Sequence, residues 1–192
     1  MSRYHSYLSS ASLIVQSYKG AEPFVHFIRK HFAAHKKFGS SDRKFIASLC
    51  YCFFRTAYVF KTEAIQQKII KGVFLCESKN NLLLQEMNPE LNEKIEWTIE
   101  NKCSFLKCDL AAVFPFLNEL SNEINKNEFA SSFLRQPLLF LRTRPGKKHL
   151  VIAKLTEASL PFKIAKEDCI ALQNATSLDK VLRLNKEAVV QD

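Results

Sequence analysis

The sequence predicts an α+β protein in two parts, a helical bundle over residues 1–134 and a small α/β domain over residues 135–192. Three observations carry that reading. Apolar residues recur at three- and four-residue intervals from Tyr4 to about Arg135. At Gln136-Pro137 the period drops to two: Leu139, Leu141 and Thr143 alternate with Phe140, Arg142 and Arg144. Glycine and proline are scarce, four and six in 192 residues, which suits helices with few tight turns, while 16 Phe and a 47% apolar share supply a sizeable core.

Each helix has a local reason. Leu8, Ala11, Leu13, Ile14, Val15 and Tyr18 outline a first helix stopped by Gly20. Pro23 suits the first turn of a second, with Phe24, Phe27, Ile28 and Phe32 inward. A basic loop, His35 to Phe38, ends at Gly39. The next helix should run from Ser40 or Ser41, either able to cap it, to about Phe60, with Asp42 favoured in the first turn by the helix dipole. Its apolar residues (Phe45, Ile46, Leu49, Cys50, Phe53, Phe54, Ala57) cover more than one face, which puts it mid-bundle. Thr62 is the expected cap of a helix carrying Ile65, Ile69, Ile70, Val73 and Phe74. Two short helices flank Pro89. Asp109 should cap a helix through Phe116 and Leu120, bent or broken near Pro115, and Asn127 a last one ending near Arg135.

In the second domain Pro145-Gly146 ends the first strand. Lys148–Ala158 returns to helical spacing, and Phe162–Ala165, Cys169–Leu172 and Ala188–Val190 read as strands, with one helical turn at Leu178–Leu182. The order strand, helix, strand, strand, helical turn, strand describes a small α/β layer.

Charge is segregated along the chain. Residues 1–75 carry 12 basic and 3 acidic side chains, residues 76–134 carry 5 and 10, and residues 135–192 carry 11 and 6, for an overall net charge of +9. Basic ends around an acidic middle point to surfaces that face a polyanion. The start of the chain lacks a signal-peptide pattern and no stretch reaches the length of a membrane span, so a soluble, cytoplasmic chain with no membrane partner is expected. The candidate RNA contacts are Arg29, Lys30, Lys36, Lys37, Arg43 and Lys44 near the central helix, where phosphate neutralisation would make affinity salt-dependent. For Asp42, Arg43 and Arg55 the structural reading is the favoured one, with Arg43 or Arg55 paired to Asp42 or another acid. On the first strand, Phe140, Arg142 and Arg144 share a face that can stack bases and hold phosphates; equally, Phe140 can be core with the arginines over helix carbonyls or acids. Lys147 and Lys148 add charge at the following helix start.

Six cysteines lie in apolar helical or strand patterns without zinc-like spacing, and read as packing thiols. The four glycines are scattered singly, so no strand-turn-helix cofactor loop is present and no catalytic residue or metal ligand is assigned.

The string Phe38-Gly39-Ser40-Ser41-Asp42-Arg43-Lys44-Phe45-Ile46, with its basic lead-in and an aromatic run to Arg55, resembles the N-terminal domain of Sun/Fmu-type (NOL/NOP/Sun) RNA (cytosine-C5) methyltransferases, a domain with the fold of the antitermination factor NusB. Pro137 to Arg144 is similar to a strand of that family, although Arg144 stands where the family has Asn. Val190-Gln191-Asp192 is similar to the entrance of its catalytic domain. The resemblance spans nearly the whole chain and implies a NusB-like bundle, a small RRM-like domain and ribosomal RNA as partner. It also implies a parent enzyme that uses S-adenosylmethionine in a following catalytic domain. The family's nucleophilic cysteine follows Thr or Pro, and no cysteine here does. The expected role is therefore RNA positioning. The alternative is a free-standing NusB-like adapter that joins RNA to a protein partner.

Overall fold

The computed structural model describes residues 2–174 and 176–191, so Asp192 of the terminal motif lies outside the described residues. The chain is α+β and divides into two compact units, Met1–Arg135 and Gln136–Asp192.

The first unit is helical. Helix α1 spans Arg3–Ser17, and the Ser2 hydroxyl accepts the His5 amide at its start. Helix α2, Phe24–Ala34, follows Pro23, and α3 covers Ser40–Thr56. Then come α4 (Ile65–Cys76), α5 (Leu82–Met87), α6 (Pro89–Glu93), α7 (Ile99–Leu106) and α8 (Lys126–Ser132).

Four boundaries differ from the sequence expectation. Neither Ser40 nor Ser41 caps α3. Gly39 holds that position, and its amide donates to the Asp42 carboxylate at 3.0 Å. Helix α3 stops at Thr56 instead of Phe60, and a turn closed by the Val59 amide on the Thr56 carbonyl carries Phe60 into a separate cluster with Leu75, Cys103, Val113 and Leu134. Thr62 lies in the turns before α4, whose cap position is Ala64. Asp109 does cap, accepting the Ala111 amide at 2.9 Å. Its segment is broken at Pro115, as the sequence allows, since proline has no amide to donate; what remains is two 3-10 turns, Leu110–Val113 and Leu117–Glu119, in place of an α-helix. Asn125, two residues before the expected Asn127, caps α8 by accepting the Asn127 and Glu128 amides.

The main core joins α1, α3 and α4 through Ile14, Ile46, Leu49, Ile69 and Phe74, all fully buried. Each such side chain stabilises the fold by roughly 1.5–3 kcal/mol relative to exposure. Helices α3 and α4 approach closely at Gly72. A Cβ there would lie 2.9 Å from the Cys52 carbonyl oxygen and 2.6 Å from the Thr56 hydroxyl. That hydroxyl donates back to the Cys52 carbonyl at 2.9 Å, so it too needs the room.

The second unit is an antiparallel sheet of β1 (Leu139–Thr143), β2 (Phe162–Lys166), β3 (Cys169–Leu172) and β4 (Ala188–Gln191), ordered β2-β3-β1-β4, with α9 (Lys148–Glu157) between β1 and β2. Val151 and Leu155 of α9 pack on Leu141, Ile170, Leu172 and Ala188. A helical turn at Leu178–Leu182 adds its two leucines to the same side, with the Leu182 amide donating to the Leu178 carbonyl at 2.8 Å. Asn185 then takes the left-handed conformation (φ 69°), and its amide donates to Ala188. The Glu187 carboxylate is buried, accepts Lys154 of α9 at 2.7 Å and the Arg183 amide, and is held below the usual carboxylate range by the Lys154 ammonium and that amide.

Candidate nucleic-acid interface

The basic loop of the first unit is built around Asp42. One carboxylate oxygen accepts the Gly39 amide at 3.0 Å. The other accepts the Arg3 guanidinium at 2.7 Å and the Tyr7 hydroxyl. Arg3 also reaches that hydroxyl through Nε. The carboxyl is thereby held at about 2, the Tyr7 and Arg3 hydrogen bonds being the largest causes. The sequence pairing of Asp42 with Arg43 is thus corrected, because Arg43 Nε donates to the Phe38 carbonyl at 2.8 Å instead. Arg43 fastens the loop from below, and Phe38, buried against Phe32, fixes its end.

Asp42→Asn should accordingly destabilise the first unit at neutral pH. The folded carboxyl sits at about 2 against an ordinary 3.8, so its contribution is complete above about pH 4–5 and fades as pH falls toward 2. The gap in urea midpoint between wild type and variant is expected to be wide at pH 7, to narrow below about pH 4 and to close as pH falls to about 2. A gap that stays constant with pH would show that the carboxylate charge is not what the cluster uses.

Lys36 and Lys37 lie exposed in the turn after α2, with Lys37 Nζ 5.1 Å from the Phe38 ring centroid. Lys44 is exposed on α3. On α2, Arg29 and Lys30 face solvent, but Lys30 is engaged by Glu22 at 2.9 Å. His31 and His35 stack at 4.3 Å in the same segment. Burial holds His31 below its ordinary value, with the charges of His35 and Lys37 adding to the effect. Among the described residues, Lys30 is the cation of this set held in an ion pair, and Arg43 is held by the Phe38 carbonyl, which leaves Arg29, Lys36, Lys37 and Lys44. Lys30 and Arg43 are already in use.

In the second unit, α9 covers one face of the sheet. The pleat sends Phe140 and Arg142 to the other, which no element among the described residues of this unit covers. Phe140 is half-buried and Arg142 exposed. Their cross-strand neighbours define two rows. Lys163, Ala171, Phe140 and Gln191 form the first, and Lys166, Cys169, Arg142 and Val189 the second, with an irregularity between Ile164 and Lys166. Lys163 and Lys166 are exposed and were missed in the sequence, although Phe162-Lys163-Ile164 carries the alternation that places them. Arg144 lies just past β1, with Nε on the Asn185 carbonyl at 3.1 Å, so part of its donor set fixes the turn before β4. Lys147 and Lys148 occupy the cap and first position of α9, where the helix dipole disfavours cations and a bound anion would relieve that cost.

A ring-sized aromatic flanked by cations on an open sheet face can stack an unpaired base and hold its phosphates. A cationic loop can hold phosphates but reads no base. Among the described residues no group of three or more His, Cys, Asp or Glu side chains is placed to hold a metal, and no helix is long and apolar enough to cross a membrane. No family model, curated protein or solved structure matches the chain.

Proposed function

We propose that this chain binds single-stranded or loop RNA, and that it is the RNA-positioning N-terminal portion of an S-adenosylmethionine-dependent rRNA (cytosine-C5) methyltransferase. The observation that carries the RNA reading is the open face of the second unit's sheet, where Phe140 and Arg142 of β1 share a face with Lys163 and Lys166 of β2, across Ala171 and Cys169 of β3. Its strand order, β2-β3-β1-β4 with α9 after β1, is the split β-α-β arrangement with its second helix reduced to one turn. That supports the RRM-like reading of this unit. The enzyme-family reading rests on the three motifs in their order, Phe38 to Arg55, Pro137 to Arg144 and Val190-Gln191-Asp192. The first of them supports a NusB-like character for the helical unit. The chain's own residues would grip and orient RNA, and the methyl donor would be bound by the parent's catalytic domain.

The loop supplies the non-specific part of the grip. Charge reversal at Lys36, Lys37 and Lys44 together should weaken RNA binding and flatten its salt dependence. For a single strand the slope of log affinity against log salt falls by about 0.7 per lost phosphate contact, so roughly 2 for three lysines. Anisotropy titrations of a labelled single-stranded RNA across a salt series measure this directly. An unchanged slope would remove the loop from the interface and leave the sheet alone.

A further inference from the structure

We propose that Cys76 and Cys52 form an oxidation-sensitive dithiol, in which Cys76 is the thiol that meets a peroxide and Cys52 the partner that resolves it into a disulfide joining α3 to α4. The two residues lie on facing helices at the Gly72 contact, one helical turn along from that glycine on the Cys76 side. Their thiols are hydrogen-bonded to each other. Cys52 is buried, whereas Cys76 is partly exposed and lines a cavity of about 470 Å³ together with Glu77, Trp97, Lys102 and Arg135.

The charges around the pair are arranged to favour a thiolate on Cys76. The Arg55 side chain hydrogen-bonds the same sulfur. Lys102 is buried between the Phe74 and Glu77 carbonyls, to which its ammonium donates at 2.9 and 2.6 Å, and its charge interacts with Cys76. Burial and Glu77 oppose them, but the hydrogen bond from Cys52 is the largest influence, and the Arg55 charge outweighs that of Glu77. Cys76 is accordingly held below the ordinary thiol value, and Cys52 above it, the hydrogen bond to Cys76 and burial being the causes. A low-pKa thiol with an access path and an adjacent resolving thiol is the arrangement that reacts selectively.

The chemistry balances with one peroxide. The Cys76 thiolate attacks an oxygen of hydrogen peroxide. The O–O bond breaks, and the leaving hydroxide takes up a proton as water. The Cys52 sulfur, on losing its proton, attacks the resulting sulfenic sulfur, and the second oxygen leaves as water. Two thiols are oxidised and one peroxide is reduced to two waters.

The test is mass spectrometry of the full chain after hydrogen peroxide treatment and alkylation without reduction. Cys50 and Cys52 share one tryptic peptide, so Cys50→Ser is used throughout to make the assignment unique. Burial pushes Cys50 up to about 12, and it should be inert. The expected product is the Phe45–Arg55 peptide linked to Gly72–Lys79. In Cys52→Ser the Cys76 sulfenic acid should persist and be trapped by dimedone, and in Cys76→Ser neither product should form. Cys52→Ala repeats the first of these should the Ser variant fold poorly. The proposal is overturned if both cysteines are recovered alkylated. It is overturned equally if peroxide links only Cys103 to Cys108, the other adjacent thiol pair.

Discussion

Phe140→Ala combined with Arg142→Glu is expected to lower affinity for single-stranded RNA about a hundredfold at moderate salt. Stacking one base on an aromatic ring contributes roughly 1–3 kcal/mol by alanine substitution, and reversing a phosphate-facing charge adds a further loss. Together about 2.7 kcal/mol corresponds to that factor. Phe140 is also half-buried, so the double variant could lose affinity by loosening the sheet. Phe140→Leu separates the two causes, because leucine keeps the apolar packing and removes the π-face. Phe140→Leu should melt close to wild type yet bind RNA roughly tenfold more weakly. Wild-type affinity in Phe140→Leu would make Phe140 a packing residue, and the sheet face would then lose its claim as a base platform.

The two surfaces have different work to do. The loop cations carry no ring that faces a base, and they sit on backbone fixed by Asp42, Arg43 and Phe38. A rigid cationic loop gives affinity without sequence choice. The sheet face joins one ring to cations on two strands, Arg142 of β1 and Lys163 and Lys166 of β2, so it can discriminate stacked bases from backbone alone. Binding that survives loss of the sheet but not of the loop would describe an electrostatic adapter, the alternative that the bundle's resemblance also allows.

How far the sequence could be read depended on the range of the interaction. The strand Leu139–Thr143 was legible because alternation is local, and the pleat then places Phe140 and Arg142 on one face without further information. Helix boundaries at Gly39, Ala64 and Asn125 were not, because several adjacent residues could cap and only tertiary packing chooses among them. The role of Asp42 was half visible. Its place in the first turn of α3 is a local rule, but its partners Arg3 and Tyr7 lie 39 and 35 residues away. Lys163 and Lys166 became candidates only when the register Phe140↔Ala171↔Lys163 was known. The cysteines show the same limit most sharply. Cys50-x-Cys52 reads as two packing thiols on different helix faces, and nothing local links Cys52 to Cys76, 24 residues on.

Gly72→Val should be the most damaging single substitution in the first unit, costing about 3 kcal/mol. Propensity alone points the other way, since a glycine inside a helix is about 1 kcal/mol worse than alanine and somewhat less than that worse than valine. Sterics decide. The first added carbon would lie 2.9 Å from the Cys52 carbonyl oxygen and 2.6 Å from the Thr56 hydroxyl. The hydroxyl could rotate only by giving up its bond to the Cys52 carbonyl, and the carbonyl belongs to the α3 backbone and cannot turn aside. Valine adds two methyls that branch at that carbon, so α3 and α4 must separate, and the packing of Ile46, Leu49, Ile69 and Phe74 loosens with them. A loss near 3 kcal/mol is a large part of the 5–15 kcal/mol typical of a whole domain and should lower the melting midpoint by roughly 10 °C. Trp97, the single tryptophan, lies in this unit, so its fluorescence follows the transition without a signal from the second. Gly72→Ala should fall between the two, with the clash partly offset by propensity. A Gly72→Val chain that melts with the wild type would mean that α3 and α4 stand further apart than the Gly72 contact requires, and the reach between Cys52 and Cys76 would be lost with it.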